Sequence, residues 1–131
     1  MKTAKYYFMI VLFSAIGIIS AGAQDNCTPY LSLEGQVSDK ITPENLAMAD
    51  NLKVRCKNSE LSTWTIVSCK VVRVPRHGDA TMTVSKGAGF SKATIDQLKT
   101  AKVDDIFFFE EIRLISMNGE VKEVGLVVEV Y

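Results

Sequence analysis

Two pairs of carboxylates bracket an aromatic run in DDIFFFEE, residues 104–111. Paired carboxylates are the equipment of glycoside hydrolysis and of hard-metal binding, so their spacing decides whether that chemistry is open to this chain. In an extended strand, Asp104 and Glu110 share one face but stand about 20 Å apart, and Asp105 and Glu111 repeat that separation on the other face. Glycosidase pairs stand about 5 to 10 Å apart. The stretch is therefore read as a strand. Ile106, Phe107, Phe108 and Phe109 offer apolar groups to both of its faces, and the four acids mark where it emerges into water. No metal site is expected there.

The remaining chemical candidates are sparse. His77 is the single histidine and sits in PRHGD, residues 75–79, a turn sequence. It lacks neighbouring cysteines at metal-ligand spacing. Gly87-Ala88-Gly89 precedes a helix without a Walker lysine pattern or a dinucleotide fingerprint. Ser59, Ser62, Ser68 and Ser85 have no nucleophile-elbow context. Trp64 is read as core rather than as a sugar-stacking platform. No catalytic residue, cofactor or metal ligand is assigned.

Cys27, Cys56 and Cys69 allow one disulfide and one odd thiol, with three possible pairings. Alternation in LKVRCK, residues 52–57, turns Cys56 inward, and Cys69 shares its side with Val67 and Val71. If residues 52–57 and 63–74 form a hairpin around residues 58–61, Cys56 lies opposite Trp64. Cys69 is then roughly 17 Å away, beyond disulfide reach. Cys27 with either partner stays open.

Further elements must position these residues. Lys2 and Lys5, an apolar run over residues 6–19 and Ala21-Gly22-Ala23 form the pattern of a secretory signal peptide, residues 1–23. The expected mature chain, residues 24–131, is one domain with two more acidic than basic residues. That balance points to neither nucleic acid nor an anionic membrane as partner. With no second apolar span, no membrane insertion is expected after cleavage, and the location is periplasmic or secreted. Strands are expected over residues 30–37, 52–57, 63–74, 80–86, 106–117 and 120–130. The last two are joined at Asn118-Gly119, a type I′ hairpin signal. A short helix begins at Thr42 (N-cap) and Pro43, and an amphipathic one runs from Ser91 to Ala101 with Ile95, Leu98 and Ala101 on its buried face. The fold class is mainly β with one or two short helices, a single β-sandwich-like (Ig-like) domain.

Four stretches together carry a family resemblance: GQVSDKITPENLAMAD (35–50), WTIVSCKVVRV (64–74), GAGFSKATIDQLKTAKVDDIFFFEEIRL (87–114) and NGEVKEVGLVVEV (118–130). In order and spacing the chain resembles the C-terminal domain of GldM, a periplasmic protein of the gliding and type IX secretion machinery of the Bacteroidetes. Cys69 stands where that family tends to have an aromatic residue, and Asp104 where it tends to have glycine. The resemblance implies a β-sandwich-like protein-interaction module with no catalytic residues to carry over, here in a single-domain exported form.

The expected function is that of a non-enzymatic envelope protein that binds another envelope protein. An exposed sheet edge supplies main-chain donors and acceptors for such binding. Arg73, Arg76, His77, Lys86 and Lys92 flank the 80–86 strand and are the candidate partner contacts at one end of the sandwich, against the plain alternative of solvated loop charges. Two alternatives stand beside it: a secreted enzyme with a site around His77 and Asp79, and a glycan-binding module built on Trp64 and the tyrosines. A pocket lined by His77 and two carboxylates would speak for the enzyme. An open sheet edge would speak for the binder, and an exposed Trp64 for the glycan module.

Overall fold

Apolar–polar alternation becomes strand over most of the chain in the computed structural model, which describes residues 27–57 and 63–131. The expected signal peptide and the expected turn at 58–61 lie outside those residues. The described elements are β1 (Pro29–Ser32), β2 (Lys40–Ile41), α1 (Pro43–Ala47), β3 (Lys53–Cys56), β4 (Trp64–Val74), β5 (Thr81–Lys86), α2 (Lys92–Leu98), β6 (Ile106–Ser116) and β7 (Val121–Val130). Five strands form one sheet in the order β2-β7-β6-β4-β5, and β1 pairs with β3 in a second. The fold is mainly β and sandwich-like, with a slender second layer. Leu31, Leu33, Leu46, Leu52 and Leu98 join the inward side chains of the large sheet in one core. No helix among the described residues is long and apolar enough to cross a membrane.

The partner of β3 differs from expectation. It does not form a hairpin with β4 but pairs antiparallel with β1, placing Pro29 opposite Cys56. Alternation reports which face of a strand is buried and says nothing about its neighbour. This pairing selects the disulfide: Cys27 is joined to Cys56 with their Cα atoms 4.9 Å apart, and Cys69 is a buried free thiol. β1 also stops at Ser32, where the chain turns with Gln36 N donating to Leu33 O at 3.1 Å. Gly35 is required in that turn. Its φ is +85°, and a Cβ there would stand 2.6 Å from the Asn45 side chain.

The two longest central strands each change face midway. Trp64 and Ile66 point into the core, and so do Cys69 and Val71; on β6 the inward set runs Phe107, Phe109, then Ile112, Leu114. Register shifts at Ser68 on β4 and between Phe109 and Ile112 on β6 carry the switch. Glu111, at φ +51°, lies in the second. Each bulge inserts one residue into its strand. Because they sit side by side, the β4–β6 register is the same before and after them. Val67 is consequently exposed rather than on the side of Cys69 and Val71. Across the outer face Lys70 Nζ donates to Glu111 at 3.0 Å, and that hydrogen bond raises the lysine pKa.

Helix starts follow the local signals. Thr42 Oγ1 accepts from Asn45 N and Ser91 Oγ from Thr94 N, with Pro43 in the first turn of α1. On α2, Leu98 is fully buried, with Ile95 and Ala101 packed against the core. Thr94 and Gln97 are buried beside them, bonded to Thr81, Thr83 and Ser85 of β5. The β6–β7 hairpin is present, but only Gly119 has positive φ (+86°). Ser116 N donates to Glu120 O and Gly119 N to Ser116 O. This is a three-residue loop with its glycine left-handed, not the type I′ turn that needs positive φ at Asn118 as well.

Candidate functional site

Strand parity brings a charged pair together at one end of the large sheet. Arg73 follows Cys69 and Val71 on the inward side of β4, and Asp105 precedes Phe107 and Phe109 on the inward side of β6. Arg73 Nε donates to Asp105 Oδ2 at 2.8 Å. The same oxygen accepts from Lys102 N at 2.9 Å, and Asp105 N donates back to Lys102 O. Asp105 is thus buried and doubly hydrogen-bonded through Oδ2, not an acid emerging into water. A carboxylate can be buried when a cation and an amide replace its hydration. Its neighbour Asp104 does face water; it sits at φ +80° and accepts from Arg76 Nη1 at 2.6 Å.

A cleft of about 320 Å³ opens over these pairs, lined by Arg73, Pro75, Arg76, His77, Lys102, Val103, Asp104 and Asp105. Its charged walls hold three permanent cations against two carboxylates. Both carboxylates are bound by arginine, while neither Lys102 Nζ nor His77 has an ion-pair partner among the described residues. Free cationic capacity therefore exceeds free anionic capacity, which suits an incoming anion better than a proton-transfer step.

The five expected partner contacts do not form one cluster. Arg73, Arg76 and His77 meet at the cleft. Lys86 sits at the far end of β5, where it pairs in register with Ser68 rather than near Arg73, whose partner is Thr81. That is about 17 Å along the strand. Lys92 is also remote and is tied to Asp96 at 3.0 Å on the surface of α2. The 80–86 strand separates its own flanks by its length, which a reading by sequence neighbourhood overlooks. Asp79 lies in the connecting loop outside the cleft lining. Lys102 escaped the sequence reading, which carried no local signal for it. The Arg73–Asp105 pair had one: both residues share parity with inward apolar neighbours.

β5 is a free edge, since no described strand pairs on its outer side. Gly87 N bonds across to Val67 O, and antiparallel alternation from that point turns the amides of Met82 and Val84 away from β4. Among the described residues, the one bond met on that outward side of Met82 and Val84 is to Val84 O, from Ser91 Oγ at 3.2 Å. Met82 and Val84 are 58% and 56% exposed. In register, Met82, Val72, Phe108 and Val127 form an apolar row across four strands on the face away from the core. Trp64, in contrast, is 5% exposed with Lys122 Nζ 5.5 Å from its ring centre, so it offers no stacking platform. Among the described residues no group of three His, Cys, Asp or Glu side chains is placed to hold a metal ion.

Comparison of the chain with protein-family models and with curated proteins finds no match.

Proposed function

We propose that this chain is a non-catalytic, exported interaction module that takes up an extended segment of a partner envelope protein as an added strand along β5. The observation that carries the reading is the unpaired edge of β5, with outward amides at Met82 and Val84 continuous with an apolar row on the outer sheet face. Unpaired main-chain groups supply affinity in strand addition, and alternate side chains supply selectivity. Long apolar edges are a hazard unless a partner covers them. The Cys27–Cys56 disulfide supports an oxidising compartment. It accords with the secretory leader read at residues 1–23. The resemblance to the GldM C-terminal domain makes gliding or type IX secretion the process to examine first.

The test is a photo-crosslinking residue at position 82 or 84, compared with one at position 122 on β7, in the native envelope. Strand addition predicts one dominant adduct from the β5 positions and none from the control. The adduct from position 82 should disappear in Val84→Pro, because that amide faces away from β4 and its loss spares the sheet. Equal labelling from all three positions, or an adduct insensitive to Val84→Pro in a variant with unchanged circular dichroism, refutes it.

One observation favours a second reading, a hydrolase: the cleft places His77 with two carboxylates. Both carboxylates are held by arginines and Asp79 is outside the lining, which is why we rank it below the binder. Turnover of peptide, ester or glycoside substrates that vanishes in His77→Ala would reverse that ranking.

A further inference from the structure

We propose that the cleft formed by residues 75–77 and 102–105 receives the acidic C-terminal end of the segment that adds to β5; this rests on the strand-addition reading above. The polarity of the edge strand supports it. Arg73 is in register with Thr81, so the cleft lies at the end where β5 begins. A segment added antiparallel to β5 finishes at that end, and its trailing residues pass the 75–80 loop toward the cleft. From an added strand to β4 is two strand spacings, about 10 Å, which three extended residues span.

Charge selects what those residues carry. Asp105 is neutralised by Arg73 and by the Lys102 amide, and Asp104 by Arg76. Arg73 bonds Asp105 through Nε and Arg76 bonds Asp104 through Nη1, so further N–H groups remain for a ligand carboxylate, and Lys102 Nζ has no ion-pair partner among the described residues. Guanidinium groups match carboxylates in a two-bond geometry. A parallel segment would instead bring its positive amino terminus to three cations. At the opposite end of β5, Lys86 and Arg113 flank Ser68 in register without an ion-pair partner among the described residues, but no cleft gathers them.

The experiment is an amide-resonance titration of the protein with two acetylated peptides of alternating valine and threonine. One ends in three aspartates with a free carboxylate, the other in three asparagines with an amidated end. The acidic peptide should shift Thr81, Met82 and Val84 together with Arg76, His77 and Lys102, and bind about tenfold more tightly, as two or three exposed charge contacts would give. Lys102→Ala, a surface change that leaves the Asp105 contact to the Lys102 main-chain amide in place, should reduce that preference by about threefold. Equal affinities, with shifts at β5 and silent cleft residues, overturn this proposal and leave strand addition intact. Absence of shifts at β5 with either peptide overturns both.

Discussion

Replacing Asp105 with alanine tests whether the acid beside the aromatic strand is structural. The substitution strands Arg73, whose side chain is 16% exposed, and removes the acceptor of the Lys102 amide. Breaking a fully buried ion pair costs about 3 to 5 kcal/mol. Residual access of water to the guanidinium places Arg73 at the lower end, and the lost amide bond adds about 1 kcal/mol. The expected loss is about 4 kcal/mol, a large share of the stability of a domain this size. Urea unfolding followed by circular dichroism should show a lower midpoint with an unchanged slope. Asp104→Ala serves as the matched control: its pair with Arg76 is 45% and 66% exposed, and such pairs contribute at most about 1 kcal/mol. Arg73→Met combined with Asp105→Leu should recover much of the loss, since an apolar pair carries no desolvation penalty. If Asp105→Ala costs no more than Asp104→Ala, the carboxylate is not held as described and is free to act in the cleft.

Three further outcomes are expected. The Cys27→Ala/Cys56→Ala double variant releases a loop of sequence separation 29, and chain entropy puts its destabilisation at about 3.5 kcal/mol, measurable by urea titration with and without reductant. Burial pushes the Cys69 thiol from 9.0 up to about 12. The unfolded chain therefore loses that proton first, and stability falls as pH rises above about 9. Cys69→Val should flatten this alkaline slope, and iodoacetamide should leave the native thiol unmodified at pH 8. Gln97→Leu removes the amide that bonds Thr81 O and Thr81 Oγ1 and the oxygen that accepts from Thr83. A loss of about 1 to 3 kcal/mol is expected, read as a lower thermal midpoint.

Local chemistry made several parts of this protein legible from sequence. Thr42 and Ser91 cap the helices because their oxygens meet amides three residues on, which needs no distant partner. The placement of the β6–β7 hairpin at Asn118-Gly119 and the reading of residues 106–109 as strand rest on the same footing. So does the inward direction of Cys56 and Cys69, since side-chain alternation is a property of one strand. The expectation that residues 106–109 are buried on both faces does not hold: Phe107 and Phe109 enter the core, while Ile106 and Phe108 are half-buried on the opposite face, which no second layer covers among the described residues.

What tertiary structure alone decided involves two or more segments at once. The pairing of β3 with β1 rather than β4 chose Cys56 as the partner of Cys27. The matched bulges on β4 and β6 moved Val67 outward, and no single-strand pattern records an extra residue whose counterpart lies on the neighbouring strand. The length of β5 divided five basic residues between two ends of the sheet. Arg73 and Asp105, 32 residues apart, bury their charges only because sheet register sets them within hydrogen-bond distance. A lone ionised group at either position would stay in water.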